Sequence, residues 1–392
     1  MKVSIFSQLA LIFCLMSGVA QAETFRVNNV ASLAVGTGGH TFTSIQAAVN
    51  AASNGDTIHI EGSVTPYNEA VTINKPLVVI GPGYFLNMTA ESQFNKESAK
   101  ITGNIIFAHG SAGSTLAGVE QQTSSGGYNQ SAFTITGNTA WNGNRIIIRD
   151  NNIRLISCKL IYVELDNAIY NDNPTGELRS ITIQRCLFNP GMVSDSRQAN
   201  GGEIRDVVFQ NCFFRNSHAT AAERLVIRGM TGKQSGWRIS NCTFYHTFTI
   251  TLENTIFANN LFYIVTAGEI NANAGTNQNF VNNVANIALT GTNAVNLWNL
   301  GANNSISYVG ENQWFTMTGG NQLYGMFFTS ANSSSPQRDP NNPSNITAER
   351  GMYGGGNPYA QSGLFRIPTV YDIAMDNEVG DQFEMIIRAR TR

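Results

Sequence analysis

Short alternating runs of apolar residues recur along the chain, and many lead into the same pattern of apolar-x-x-Cys-x-apolar. Runs such as 180–183 and 237–240 alternate with a period of two, which is typical of strands. The pattern is centred on Cys158, Cys186, Cys212 and Cys242, then on Asn260 and, more weakly, Asn283. Successive centres lie between 18 residues apart (242 to 260) and 30 residues apart (212 to 242).

A repeat of this length with strand-like runs predicts a stacked parallel β-coil in which each turn lies about 4.8 Å above the last. Cys and Asn share one position because both are small enough for a tight inner corner. Asn stacks through side-chain amide hydrogen bonds and Cys is a small buried hydrophobe. Leucine-rich repeats are the main alternative, but their Leu signature and constant period are missing. A β-sandwich does not require a recurring corner.

The segment 40–83 begins differently, with an apolar stripe at helical spacing. A short helix is predicted there, with Thr43 or Ser44 as its cap and a stop at 54–55. Residues 56–61 and 70–74 follow as the first two predicted strands. The helix is expected to cover the open end of the coil and protect the sheet edge. Its apolar stripe consists of Ile45, Ala48, Val49 and Ala52.

Residues 40–60 and 71–83 resemble the N-terminal segment of right-handed parallel β-helix proteins of the pectin lyase-like superfamily. This resemblance implies an all-β, right-handed parallel β-helix with a short N-terminal capping helix. The superfamily includes pectin methylesterases, pectate lyases and polygalacturonases, so it also implies a polysaccharide partner. Residues 351–359 and 362–371 more loosely resemble the tail of exported β-helix proteins from Bacteroidetes.

The catalytic motifs of those enzymes do not occur in the chain. We find no Asp-Phe-x-Phe-Gly of the esterases, no Asn-Thr-Asp with a later His-Gly and Arg-Ile-Lys of the polygalacturonases, and no acidic calcium cluster of the pectate lyases. The resemblance therefore implies a fold and a class of partner, but no catalytic residues.

Four segments follow from these patterns. Residues 1–22 are predicted to be a signal peptide, 23–90 the cap and first coils, and 91–315 the main parallel β-helix. Residues 316–392 are predicted to be a loop-rich C-terminal segment. Within it, 319–343 is expected to run back over the coil, and 370–374 and 383–389 to form closing strands; a separate C-terminal module is the alternative.

The N-terminus predicts export. Lys2, the apolar run 9–16 and Ala20-Gln21-Ala22 have the charged start, short apolar core and small-x-small ending of a signal peptide, cleaved after Ala22. A retained membrane anchor is the alternative, but it needs about 20 apolar residues. We expect a secreted protein, periplasmic, on the cell surface or extracellular, with no transmembrane segment in the mature chain.

Composition limits the partners further. Only 13% of residues are charged and the formal net charge is −2, so nucleic acid is not expected as a partner. The five His residues are dispersed and no Cys-x-x-Cys occurs, so no metal and no cofactor are predicted. After removal of Cys14 with the signal peptide, the four remaining cysteines are predicted to be free, buried thiols.

Counting outward from the corner places Arg215, Tyr245 and Tyr263 in one outward column. Tyr rings and an Arg guanidinium suit a polysaccharide, the Arg by pairing with a uronate carboxylate. His218 and His246 lie in the densest cationic part of the chain and complete the candidate carbohydrate-binding set. The alternative is that these residues only decorate a β-surface or a solvated loop.

Catalytic residues are not identified. Glycoside hydrolysis requires two carboxylates at a fixed separation, and the spacing of the available ones identifies no pair. Two hypotheses therefore stand: an exported β-helix protein that binds, and in its stronger form cleaves, a polysaccharide as a lyase or glycoside hydrolase, or a non-catalytic structural or adhesive extracellular protein. The carboxylates considered are Asp150, Asp166, Glu203 and Asp206.

Overall fold

The computed structural model describes fifteen stretches of the chain, and all structural statements below concern these residues. They are 22–30, 39–86, 95–122, 144–169, 175–195, 201–215, 225–229, 232–271, 279–285, 305–306, 316–317, 326–327, 351–352, 369–375 and 385–390.

The fold is a right-handed parallel β-helix, as predicted, because the chain passes repeatedly between two parallel sheets. The first sheet contains, in spatial order, β2 (Thr41–Phe42), β1 (Thr24–Val27), β3 (Thr57–Ile60), β5 (Val78–Ile80), β8 (Thr115–Ala117), β11 (Arg154–Ile156), β13 (Leu178–Gln184), β15 (Ile204–Gln210), β19 (Trp237–Ser240), β21 (Thr255–Ala258) and β23 (Asn279–Val281), with β18 (Gln234–Ser235) beside β15.

The second sheet follows the first around a short corner. It contains β4 (Val71–Ile73), β7 (Ile105–Phe107), β10 (Ile146–Ile148), β12 (Lys159–Leu165), β14 (Leu187–Asp195), β16 (Phe213–Arg215), β20 (Thr243–Thr251), β22 (Leu261–Asn271), β24 (Val284–Ala285) and β25 (Ser305–Ile306); β6 (Ala99–Ile101) pairs with β9 (Val119–Gln121), β9 also with β12, and β17 (Leu225–Arg228) with β14 and β20.

The capping helix is also confirmed as α1 (Ile45–Ala51). Ser44 is its N-cap and accepts a hydrogen bond from the Ala47 amide, while Glu69 accepts from the Ile45 and Gln46 amides. The apolar stripe lies in the core. One expectation was incomplete, because the coil begins at β1, before the first predicted strand. Phe25 and Val27 of β1 alternate with exposed residues and face the core.

Two residues form the corner between the sheets, and the first has a left-handed backbone in six successive coils. Its φ lies between 52° and 56° at Ser157, Arg185, Asn211, Asn241, Asn259 and Asn282. Four of the six are Asn, the non-glycine type that tolerates this conformation best. Because the bend is the same in each coil, the strands on both sides stay in register.

The second corner residue is the Cys or Asn of the repeat, and every one is fully buried, as predicted. Each thiol donates to the carbonyl oxygen two residues before it, for example Cys186 Sγ to Gln184 O at 3.3 Å. Asn260 accepts from the Cys242 amide at 2.9 Å and donates to Ile239 O and to Asn283 Oδ1. Cys and Asn therefore both satisfy the backbone at this position.

The apolar residues beside the corner form ladders through the core. Phe188, Phe214, Phe244 and Phe262 stack in sequence, with ring centroids 4.7–4.9 Å apart and ring planes within 16° of parallel. Such spacing equals the coil repeat, so identical side chains pack on one another without a change of rotamer.

The two strands predicted at 370–374 and 383–389 are present as an antiparallel pair of their own, β28 (Thr369–Met375) and β29 (Met385–Arg390). Their closing of the coil stays a prediction. A second antiparallel pair consists of β26 (Thr316–Met317) and β27 (Met326–Phe327). The loop expected over 319–343 lies outside the described residues apart from β27. Gly351 and Met352, however, do lie against the coil, as described below.

Substitution of Asn260 tests whether its side-chain hydrogen bonds stabilise the corner. Asn260→Ala is expected to reduce the free energy of unfolding by about 2–4 kcal/mol, because it leaves the Cys242 amide and the Ile239 carbonyl buried without their partner. Urea denaturation measures this change. The control Asn279→Ala, at an exposed position in β23, should stay within about 0.5 kcal/mol of the native protein. Equal stability of both variants would contradict the role of the corner amide.

The corner thiols allow a chemical test. Burial raises the pKa of Cys158, Cys186 and Cys212 well above the usual range, so these thiols are expected to resist alkylation in the native protein. After denaturation of residues 23–392, mass spectrometry should find four alkylated cysteines. Rapid labelling before denaturation, or a disulfide among the four, would be inconsistent with this corner.

Candidate functional site

The predicted outward column exists as an in-register column on the second sheet. Arg215 of β16 pairs with Tyr245 of β20, and Tyr245 pairs with Tyr263 of β22. Phe214, Phe244 and Phe262, one residue earlier on each strand, lie in the core. The three candidate residues therefore lie on the outward side of three successive coils.

The two tyrosines form a stacked pair, which we call the tyrosine pair. Their ring centroids are 5.5 Å apart and their planes differ by 9°. Each side chain is half-buried, and the facing surfaces of the rings cover each other. The facing surfaces of the two rings are therefore taken up by the stack and are not available to a ligand.

Arg215 differs from the tyrosines in its exposure. It is 5% exposed, so its guanidinium is not open to solvent in this arrangement. His246 lies in β20, paired in register with Ile264, while its side chain is outside the described residues. His218 is entirely outside them. The structure thus brings Arg215, Tyr245 and Tyr263 together and does not place the imidazoles.

A second outward column lies beside the corner, and it is apolar and covered. We call its members Leu187, Phe213, Thr243, Leu261 and Val284 the corner strip; they are paired in register and at most 5% exposed. Tyr84 and Met352 pack against the apolar members of this strip. The tyrosine pair packs against the same cluster, so it borders a surface that the chain itself covers.

At its other end this column continues into a buried ion pair. Lys159 of β12 pairs in register with Leu187 of β14 on one side and with Glu120 of β9 on the other. Its Nζ lies 2.6 Å from Glu120 Oε1. Ser98 donates to the other carboxylate oxygen at 2.6 Å. Burial raises the pKa of Glu120, but the charge of Lys159 and hydrogen bonds outweigh it, so the pKa lies below its ordinary value. Phe85 covers the ammonium group at 4.9 Å.

Two carboxylates that sequence spacing did not pair lie together on the second sheet. Glu164 and Asp166 flank the inward Leu165, with Arg145 Nη1 2.6 Å from Glu164 and Arg149 Nε 2.8 Å from Asp166. Burial raises the pKa of Glu164, Arg145 opposes the shift, and the charge of Asp166 adds to it, so the net pKa is raised. A Glu with a raised pKa beside an Arg-paired Asp is the arrangement from which carboxyl proton donors are built.

The sequence contained a signal for this pair that was missed. Residues 163–166 alternate apolar and acidic, so both acids had to share one face of a strand. The other candidate carboxylates do not belong to this pair, and each has a structural role elsewhere. Asp150 accepts from the Gly110 and Ala112 amides, Glu203 accepts from the Ser235 hydroxyl, and Asp206 occupies a left-handed bend.

Comparisons with known protein families, with curated proteins and with solved structures found no match for this chain. In the described part of the chain, no three His, Cys, Asp or Glu residues are grouped as metal ligands would be. No helix in that part is both long and apolar enough to cross a membrane.

The Glu120–Lys159 pair predicts a pH dependence. Because the folded-state pKa of Glu120 lies below its ordinary value of 4.5, the pair stabilises the protein above about pH 4.5 and loses this effect as the pH falls through the folded-state pKa. At neutral pH, Glu120→Gln should cost about 3–5 kcal/mol in urea unfolding, since Lys159 stays buried without its counter-charge.

The cost of Glu120→Gln should shrink as the pH falls through the folded-state pKa, because the native carboxyl then takes up a proton itself. Glu97→Gln is the matched control, because it breaks the more exposed Lys100–Glu97 pair and should cost less than about 1 kcal/mol. A cost for Glu120→Gln that does not change with pH would contradict this account.

Proposed function

We propose that the protein is an exported β-helix protein that binds an extracellular or cell-surface polysaccharide along the outward face of the second sheet. The observation that carries this proposal is the tyrosine pair, two half-buried rings on successive coils. A tyrosine offers an apolar ring and a hydroxyl, the two kinds of contact that a sugar can use.

The repeat of the solenoid supports an extended ligand. Equivalent side chains recur about every 4.8 Å along the axis, so a chain molecule lying along the axis meets the same groups again on each coil. Because only 13% of residues are charged, neutral polar groups dominate, and these suit hydrogen bonding to hydroxyl-rich ligands. Export rests on the predicted signal peptide and is part of the proposal.

Cleavage is the stronger form of this proposal. If the bound polysaccharide is hydrolysed, Glu164 and Asp166 supply the two carboxylates that the reaction needs, with Glu164 as the proton donor. Glu164 lies on β12 and Asp166 directly follows this strand, three coil steps from Tyr245 on β20 of the same sheet. In register, Glu164 pairs through Ser194 and Arg228 with Thr251, six residues beyond Tyr245 on β20. A ligand that meets both the tyrosine pair and the acids must therefore cross the strands as well as run along the axis.

A non-catalytic structural or adhesive role is the second candidate. It is favoured by the corner strip, where the chain uses the outward surface of its own sheet for internal packing. A protein whose surface columns serve mainly to hold coils together needs no ligand. The two functions differ in one property, which is affinity for a glycan.

A glycan-array screen of residues 23–392 tests the proposal. Binding is expected, and the double variant Tyr245→Phe/Tyr263→Phe should bind the hit about 30-fold more weakly, since two hydrogen bonds of about 1 kcal/mol each are lost while the stacked rings remain. Tyr245→Ala/Tyr263→Ala should bind more weakly still. Arg238→Ala, at an exposed position on the first sheet, is the control and should bind like the native protein.

The outcomes separate the candidates. Absence of binding to every glycan would favour the structural role, and unchanged affinity in a folded alanine double variant would show that the tyrosine pair is not the site. Release of reducing ends from a bound glycan that stops in Glu164→Gln would support hydrolysis. Unsaturated ends would instead indicate a lyase.

A further inference from the structure

Gly351 and Met352 form a two-residue segment, here called the strap, that touches three successive coils. The Gly351 amide donates to Asn259 O at 2.8 Å, and the Met352 amide donates to Thr243 Oγ1 at 3.1 Å. Asn211 Nδ2 donates to Met352 O at 2.9 Å. The strap therefore bonds to the coils whose corners are Asn211, Asn241 and Asn259.

Side-chain packing also holds the strap against the coils. Met352 is 1% exposed within the cluster that includes Phe213 and Leu261. Gly351 has a φ of 76°, and a Cβ at this position would lie 2.6 Å from Leu261 Cδ1 and 2.8 Å from Thr243 Oγ1. Any other residue would require the Leu261 and Thr243 side chains to shift, and the positive φ itself favours glycine.

The three strapped coils are the ones that carry the candidate column. Arg215, Tyr245 and Tyr263 lie on β16, β20 and β22, and these strands also contain Phe213, Thr243 and Leu261 of the corner strip. In a solenoid each coil contacts only its neighbours, so a segment bonded to three coils adds a restraint that the stack alone lacks. The tyrosine pair packs against the same cluster as Met352.

We propose that the strap is a positioning element: it holds these three coils together so that Tyr245 and Tyr263 stay stacked in the arrangement that binds ligand. The part of this inference that concerns the ligand rests on the proposed function. The part that concerns the coils does not. Docking of the strap then favours binding of a ligand that requires the stacked pair, and binding of that ligand favours docking of the strap.

Hydrogen exchange tests the restraint without any ligand. In Met352→Ala, backbone amides of β16, β20 and β22 should exchange roughly tenfold faster than in the native protein, because lost packing lets these coils open locally. Met352→Leu, which conserves volume, should restore slow exchange. Ile156→Ala is the matched control: it truncates another buried outward residue, on the Cys158 coil, and should leave the three strands unchanged.

A second variant covers the case in which Met352→Ala does not fold. Thr243→Val keeps the shape of the side chain but removes the acceptor for the Met352 amide, and it should also speed exchange in the three strands. Native exchange rates in folded Met352→Ala or folded Thr243→Val would overturn the inference.

Binding to a glycan hit from the array decides the positioning role. Met352→Ala should bind that glycan about tenfold more weakly, with recovery in Met352→Leu, although every tyrosine is intact. Faster exchange with unchanged affinity would overturn the positioning role. If the native protein binds no glycan, the proposed function fails instead, and the exchange rates alone still support or overturn the restraint on the coils.

Discussion

One left-handed residue at each corner is the constraint on which the structure depends. Six successive coils turn at a residue with φ near 54°, and the next residue, Cys or Asn, points into the core. A uniform bend keeps the strands on both sides in register. Register in turn lets four phenylalanines stack at the coil spacing and lets parallel strands satisfy one another's backbone groups.

The same register acts on the outward surface, where it produces columns of different character on one sheet. Beside the corner the column is apolar and covered, and further along the strand it becomes Arg215 and the tyrosine pair. The Glu164–Asp166 pair lies at the far part of the strand, where two arginines hold the carboxylates. The character of the surface therefore changes along the length of each strand more than it changes along the axis of the solenoid.

Periodic features were predictable from the sequence, because a side chain in a solenoid has the same surroundings as its counterpart in the next coil. The corner, the capping helix and the alignment of Arg215 with Tyr245 and Tyr263 all follow from counting. The burial of Arg215 does not follow from the repeat, and Met352, which contacts the coils, lies outside the repeat. Arg145 and Glu164 come together only through the pairing of β10 with β12.

The strap also bears on the order in which the molecule is completed. Met352 bonds to residues that precede it in the chain by 109 and 141 positions, whereas a coil needs only the coil before it. A polypeptide that emerges from its N-terminus can therefore add turns one at a time from the cap onward, with short loops to close at each step. The three strapped coils acquire this restraint only after residues 351 and 352 have been synthesised, so shorter nascent chains hold these coils by stacking alone.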